Sequence, residues 1–310
     1  MNANRPPWHA DAVHFRTGCK LNLFLNICSL REDGYHELQT LFYPLAEPFD
    51  EIYLRPAGAP GLSLVCPAFP ALQAEKTTLH KALAAFQQAL GPGKSLEKEG
   101  GYELFLHKQV PAGAGLGGGS ANAAGFLRYL NDNAGEAGLS REELIKVAAK
   151  VGADVPFFLM DGPALAEGIG ERLTPVQVSL AGLYLVLVCP GIHVSTPWAY
   201  GEWDRRLAAG ELKASLLQEY FYQTLTGSRQ NAKVALWPWF YNNLEQAVFP
   251  ARPEIAAIKD GLLKCGARAA LMSGSGSSVF GIFSDRESAL RVGSCKAFSG
   301  YRVLCQPLAI

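Results

Sequence analysis

Several features that would place a chain in a class of its own are missing here. The formal net charge is +0, so no polyanion such as nucleic acid is suggested as a partner. No apolar run approaches the ~20 residues of a membrane span. Seven cysteines (Cys19, Cys28, Cys66, Cys189, Cys265, Cys295, Cys305) are scattered without a C-x-x-C pair. Neither a zinc site nor a disulfide framework is indicated, and a reducing cytoplasm fits. Met1–Asp11 has no apolar segment of the signal-peptide kind and reads as a loose tail. No internal repeat is visible. What remains is 310 residues, 49% hydrophobic and 18% charged, the balance of a globular enzyme of one or two domains.

One stretch organises the rest: Pro111-Ala-Gly-Ala-Gly-Leu-Gly-Gly-Gly-Ser120, with glycines at 113, 115, 117, 118 and 119. Tyr102–Val110 before it is rich in aromatic and aliphatic residues and predicts a strand. Ser120–Leu130 after it predicts a helix, with Leu127 and Leu130 on one face. A glycine loop between a strand and a helix start is an anion site. Glycine admits a phosphate close to the backbone N–H groups, and the helix N-terminus adds unpaired donors and a positive dipole end. A plain flexible linker would not sit between those two elements. Gly113-x-Gly115-x-x-Gly118 also matches a dinucleotide fingerprint, the basis for an oxidoreductase alternative. That motif requires an acid closing a second strand about 20 residues on, where this chain has the polar turn Asn131–Gly138. The Walker A alternative lacks its Gly-Lys-Ser/Thr. The loop thus has no lysine of its own, and cationic help must come from elsewhere.

A first strand is predicted over Phe15–Ile27. Its period of two puts Leu21, Leu23, Leu25 and Ile27 on one face and Lys20, Asn22, Phe24 and Asn26 on the other. Lysine on a strand is ordinarily a solvated edge residue, but this strand is too apolar for a free edge. Arg31-Glu-Asp-Gly34 signals a hairpin, with a returning strand from Tyr35 to Phe42. Glu51–Leu64 predicts one or two further strands, and Thr77–Leu90 a helix. Ser140–Lys150 predicts a helix with a Ser140–Glu143 capping box. It leads to Gly152-Ala-Asp154-Val-Pro-Phe-Phe158, where an acid lies among apolar residues. Asp154 could be a helix N-cap before an early proline; an acid so placed also suits a general base. Leu183–Val188 predicts a central strand, Pro253–Cys265 and Asp285–Phe298 helices, and Tyr301–Leu304 a last strand. The aromatics of Gly210–Tyr241 read as helix packing. Ser273–Ser278 is linker-like in composition, but apolar runs flank it directly.

Pro-x-Gly-x-Gly-Leu-Gly-Gly-Gly-Ser-x-Asn-Ala-Ala resembles the phosphate loop of the GHMP small-molecule kinases. Gly152-Ala-Asp-Val-Pro resembles the segment holding their catalytic aspartate, and Ser273–Ser278 their third, Gly-rich motif. Lys20-Leu-Asn-Leu-Phe-Leu followed by Asp33-Gly-Tyr-His-Glu-Leu-Gln-Thr-Leu-Phe42 is similar to one branch alone. That branch phosphorylates 4-diphosphocytidyl-2-C-methyl-D-erythritol in isoprenoid precursor synthesis. Cys19, Thr78 and Asn243 depart from the usual pattern, which has a small residue, Asn and Asp at those places.

The resemblance implies an α+β, two-domain fold: an N-terminal half like ribosomal protein S5 domain 2 and a ferredoxin-like C-terminal half, with the active site in the cleft between them. The implied boundaries are a tail over 1–12, an ATP-binding domain over 13–174 and a C-terminal domain over 175–310. It implies ATP and Mg²⁺, small-molecule partners only, no membrane, and a monomer or homodimer. Pro111, Gly113, Gly115, Leu116, Gly117, Gly118, Gly119 and Ser120 would hold ATP, with Ser120 helping to place the metal. Asp154 would accept the proton of the attacking hydroxyl, and Lys20 would pair with it and offset charge on the phosphoryl group. Asn22 would lie near the acceptor, Tyr35, His36 and Tyr200 would hold its cytosine, and Thr196 would lie on the same side. A homoserine or mevalonate kinase, or an inactive nucleotide-binding sensor, are the alternatives.

Overall fold

The computed structural model describes residues 5–74, 76–91, 100–212 and 240–308. Its strands are β1 (Val13–Leu30), β2 (His36–Ala57), β3 (Gly61–Val65), β4 (Gly101–His107), β5 (Ala164–Gly168), β6 (Arg172–Pro175), β7 (Tyr184–Cys189), β8 (Tyr241–Asn242), β9 (Ala269–Met272), β10 (Val279–Phe283) and β11 (Arg302–Pro307). The chain forms two compact units. One comprises residues 1–19, 45–112 and 117–161, the other residues 20–44, 113–116 and 162–310. The long strands β1 and β2 each pass from one unit into the other. Among the described residues no helix is long and apolar enough to cross a membrane.

In the first unit, β3 pairs parallel with β4, and β4 antiparallel with residues 51–57 of β2. Helices Thr78–Leu90, Gly118–Asp132 and Arg141–Val151 cover this sheet. Leu79, Leu83, Phe86, Phe126, Leu127, Leu130, Leu144 and Val147 share a core with Ile52, Leu54, Leu104 and Leu106. The heptad-like spacing of those helix residues is what puts them on one face. Ser140 accepts the Glu143 amide while Glu143 takes the Ser140 amide, which closes the expected capping box. The tail is not wholly loose, since His9–Asp11 forms a 3-10 turn and Trp8 lies under the Arg55 guanidinium at 4.6 Å.

In the second unit, residues 38–42 of β2 pair with β5, β5 with β6, and β1 with the short parallel β8. A separate antiparallel sheet runs β11-β7-β10-β9. This is fourth-first-third-second in chain order, the expected ferredoxin-like arrangement. The uninterrupted apolar run Leu185–Val188 occupies an interior strand, as read from sequence. Helices Thr196–Ala208, Glu245–Ala251, Pro253–Lys264 and Arg286–Val292 complete it. Leu25, Ile27, Val186, Val188, Trp203, Leu244, Ile258 and Met272 share its core.

Three elements differ from the sequence reading. The returning strand and the strand from Glu51 are one, β2, running through Pro48. The helix expected to start at Ser120 starts at Gly118. The last helix stops at Val292, before Gly293, and a 3-10 turn over Lys296–Phe298 follows. Of the aromatic stretch 210–241, residues 213–239 lie outside the described residues.

Candidate active site

In the first unit the end of β4 is fixed by a buried acid. Asp50 accepts the amides of Gln109 and Val110, both at 2.7 Å, and pairs with the Lys108 ammonium at 2.6 Å. Both side chains are almost fully buried. Removing one partner of such a buried pair costs about 3–5 kcal/mol, and the two amides that Asp50 accepts lie directly before Pro111. Gly117 then takes a left-handed conformation, φ +70°, as the N-cap of the Gly118–Asp132 helix, with no side-chain cap. The first intrahelical bond is Ala121 N–H to the Gly117 carbonyl. The amides of Gly118, Gly119 and Ser120 are therefore the first-turn donors without intrahelical partners, where the helix dipole favours an anion. Thr78 Oγ1 donates to the Gly119 carbonyl at 3.1 Å, so the residue replacing the expected Asn braces the loop helix.

Asp154 is half-buried in the turn between the Arg141–Val151 helix and the 3-10 helix Pro156–Leu159. The cap position of that 3-10 helix is Val155, and no side chain caps it. The cap alternative for Asp154 therefore loses its support.

In the second unit the loop residues 113–116 are held by their carbonyls. Ala114 O accepts from Ser278 N at 3.2 Å. Gly115 O accepts from Lys20 Nζ at 3.1 Å and from Ser273 Oγ at 3.0 Å. Leu116 O accepts from Lys20 N at 2.9 Å. A trans peptide sets C=O and N–H antiparallel, so pulling these carbonyls one way turns the following amides the other way. Lysine is thus present after all, supplied by β1. Its ammonium is buried, lies 2.6 Å from Asn22 Oδ1 and 5.1 Å from the Phe42 ring centroid. Asn22 Nδ2 donates to Thr40 Oγ1 at 2.8 Å, so both ends of that amide are engaged.

The third Gly-rich motif is an anchored turn. Ser273 N donates to Ser278 O, and Asn242 Nδ2 donates to the carbonyls of Met272 and Gly274 at 2.7 and 2.8 Å. Glu245 Oε1 takes the Met272 amide at 2.9 Å. Burial pushes the Glu245 carboxyl up, against the opposing pull of the Lys259 ammonium. The departing Asn243 is fully buried and ties β1 to β8: its Oδ1 accepts Ile27 N–H at 2.6 Å and its own N–H donates to Leu25 O.

His36 opens β2. Its Nε2 lies 2.8 Å from Asp204 Oδ1, and its ring stacks on Tyr200 at 4.8 Å between centroids. Tyr35, one residue before, is 60% exposed with its amide on Asp33 Oδ1. Thr196 starts the helix bearing Tyr200 and shares a hydroxyl hydrogen bond of 2.8 Å with Ser275. The structure therefore gathers Lys20, Asn22, Gly115 and Leu116 in one neighbourhood of the second unit, and His36 with Tyr200 in another. Sequence reasoning missed Lys108, Asp50 and Asp204. The first had a signal in its place directly before the loop; the others are set by pairings far apart in sequence.

The loop glycines are not equivalent. Positive φ occurs at Gly113, Gly115 and Gly117. Gly118 has no positive φ; glycine is required there because a Cβ would lie 2.8 Å from Val110 Cγ1. At Gly115 a Cβ would lie 1.9 Å from the Ser273 carbonyl oxygen, whereas at Gly119 it would meet only Thr78 Oγ1 at 3.7 Å. Gly115→Ala is thus expected to lower the melting temperature by several degrees, the scale of 1–3 kcal/mol of backbone strain, and Gly119→Ala by little. Equal melting temperatures for the two variants would remove the packing argument for Gly115.

Residues 77–162 match the family described as the GHMP kinases N terminal domain, and residues 230–296 match the GHMP kinases C terminal. The chain is 44% identical to the 4-diphosphocytidyl-2-C-methyl-D-erythritol kinase of Nitratidesulfovibrio vulgaris strain Hildenborough, over 90% of this chain and 93% of that one. It is 43% identical to the same-named protein of Oleidesulfovibrio alaskensis, over 88% and 91%. A crystal structure of 4-(cytidine 5'-diphospho)-2C-methyl-D-erythritol kinase is similar with a TM-score of 0.71 and 31% identity, covering 95% of this chain and 99% of that one.

Proposed function

We infer the residue roles below from one premise: the chain belongs to the GHMP kinases, and within them to the 4-diphosphocytidyl-2-C-methyl-D-erythritol kinases. It is an ATP-dependent small-molecule kinase. The reaction is transfer of a phosphoryl group from ATP to the 2-hydroxyl of 4-diphosphocytidyl-2-C-methyl-D-erythritol, within the non-mevalonate route to isoprenoid precursors.

The observation that carries the acceptor assignment is the length of one strand face in the second unit. Lys20 and Asn22 are hydrogen-bonded on β1, and Asn22 reaches Thr40 on β2. His36 lies four residues from Thr40 on the same face, roughly 13 Å along the strand at ~3.3 Å per residue. A buried lysine at one end and a stacked imidazole at the other suit a long acceptor with a nucleobase at its far end. Homoserine or mevalonate would reach only one of them.

Catalysis of phosphoryl transfer is mostly positioning and charge neutralisation. The backbone amides of Gly113–Ser120 hold the triphosphate, with Pro111 setting the entry to the loop. Asp154 orients the attacking hydroxyl and accepts its proton. Lys20 offsets negative charge on the transferred group, and Asn22 holds that ammonium beside the acceptor. Tyr35, His36 and Tyr200 hold the cytosine, and Thr196 borders the acceptor. Among the described residues no group of three or more His, Cys, Asp or Glu could hold a metal. That donor set fits Mg²⁺ carried largely by the phosphates, since this ion keeps water and takes few protein oxygens; Ser120 Oγ would help hold the ion, which would neutralise phosphate charge.

Saturation curves for each substrate test this assignment. Base–aromatic stacking is worth roughly 1–3 kcal/mol, so Tyr35→Ala, His36→Ala and Tyr200→Ala should raise the acceptor KM by roughly ten- to a hundredfold and hardly move the KM for ATP. Gly119→Ala, which leaves the fold intact, should do the reverse. If the three ring variants lose ATP affinity and keep acceptor affinity, the donor and the cytidine have been exchanged.

A further inference from the structure

We propose that Cys265 and Cys295 form an oxidative modification site, where a hydroperoxide converts the two thiols to an intramolecular disulfide that fastens the second unit. Their spacing gives no hint of it, since they lie 30 positions apart. Folding sets the two Sγ atoms 3.9 Å from each other, with the Cys265 S–H directed at Cys295. Cys265 is the C-cap of the Pro253–Lys264 helix, and its N–H donates to the Gly261 carbonyl at 2.9 Å. Cys295 is the N-cap of the 3-10 turn Lys296–Phe298. Its N–H donates to Val292 O and its carbonyl accepts from Phe298 N, both at 3.0 Å. Each backbone is thereby held, and the two segments are packed on each other: a Cβ at Gly261 would lie 3.0 Å from Phe298 Cζ. A disulfide needs about 2.05 Å between sulfurs, a gap that rotation of two thiols already in contact can close.

Exposure also singles out this pair. Cys19, Cys66 and Cys189 are buried, Cys28 and Cys305 are exposed, and Cys265 and Cys295 are half-buried. A small oxidant can reach such a thiol, and the second thiol stands ready to resolve the product. The chemistry balances with the peroxide as oxidant. One thiol gains an oxygen to become a sulfenic acid, and a first water leaves. The other sulfur attacks the sulfenic sulfur; the S–S bond forms, the S–O bond breaks and a second water leaves. The two thiols lose two hydrogens and two electrons, which the peroxide O–O bond takes up. Burial, and then the Cys295 sulfur, push the Cys265 thiol up against the pull of Arg291, so Cys265 rests as a thiol until an oxidant arrives. The helix that Cys265 closes also carries Lys259, whose ammonium pairs with Glu245, the acceptor of the Met272 amide. Fastening that helix steadies the base of the third Gly-rich turn.

The test treats the full chain with hydrogen peroxide, removes the excess with catalase, alkylates the remaining thiols with N-ethylmaleimide and maps the peptides. Melting curves and the survival of ADP-release activity on heating are read on the same samples. Oxidised wild type should carry a peptide cross-linked between Cys265 and Cys295 that is two hydrogens lighter than the reduced pair. It should melt roughly 5 °C higher, on the scale of a cross-link closing a loop across 30 positions, and keep its activity longer when heated; dithiothreitol should reverse all three changes. Cys265→Ser and Cys295→Ser should give no cross-link and no rise, with the remaining thiol carried on to sulfinic acid. Recovery of both cysteines alkylated after treatment would overturn the proposal, and so would a bond from either one to another cysteine or to a second chain. A cross-linked chain that melts no higher, or an equal rise in the serine variants, would overturn the fastening. Should a serine variant fail to fold, the peptide map of wild type decides alone.

Discussion

Asp154→Asn is expected to lower kcat by at least ~100-fold, the scale of a lost general base, while ATP still binds. The acid sits in a turn whose cap position belongs to Val155, so a purely structural role as a helix cap is already weakened. Asparagine keeps the shape and one acceptor oxygen but cannot take a proton. A drop in kcat at constant ATP affinity would mark an interaction that matters only as the hydroxyl attacks. The check is single-turnover kinetics beside an ATP titration of the same variant. Turnover close to wild type would reduce Asp154 to a turn residue, and it would revive the reading in which nucleotide binding, not transfer, is the chain's purpose.

Lys20→Met should be comparably severe, but with a second symptom. The ammonium has two jobs in the structure. It holds the Gly115 carbonyl at 3.1 Å, and it stands beside Asn22 at one end of the acceptor face. Methionine preserves the length of the stem and its packing near Phe42 while removing the charge and the donor. Loss of one preorganised charge-stabilising group costs about 10²–10³ in kcat. Asn22 Oδ1 loses its lysine donor in a buried setting, about 1–3 kcal/mol of stability. Gly115 O retains the Ser273 hydroxyl, so ATP affinity should fall by only a few-fold. Lys20→Arg should not rescue, because a planar guanidinium does not replace a compact ammonium in a buried site. A kcat within about twofold of wild type for Lys20→Met would contradict the assigned role; an intact kcat with a lowered melting temperature would make Lys20 a brace for the loop alone.

Much of this architecture was legible in the sequence because its signals are local. The glycine run between a strand and a helix, the Asp33-Gly34 hairpin and the Ser140–Glu143 box each fix their own few residues. The helix start at Gly118 was read two residues late. Glycine usually argues against a helix, yet in the first turn its amide has no intrahelical partner to lose. At Gly118 the constraint is the Val110 side chain rather than backbone φ, which a glycine run alone does not announce. β2 was read as separate strands because a proline in mid-strand looks like a break, and Pro48 is accommodated. What stayed invisible are contacts between distant residues. Nothing near His36 announces Asp204, which lies 168 positions away, and Lys108 finds Asp50 across 58. The sequence singles out Lys20 as the cation for the phosphoryl group, but its hydrogen bond to the Gly115 carbonyl joins residues 95 positions apart and has no local sign.

The central claim is that this chain phosphorylates a CDP-linked sugar alcohol, and one coupled assay of ADP release tests it most directly. The purified chain is given ATP and Mg²⁺ alone, then with 4-diphosphocytidyl-2-C-methyl-D-erythritol, homoserine or mevalonate in turn. The account predicts ADP release that depends on the CDP-linked acceptor, with one phosphate added to it, and background rates with the two small acceptors. Turnover of homoserine or mevalonate with the CDP-linked acceptor inert would contradict it.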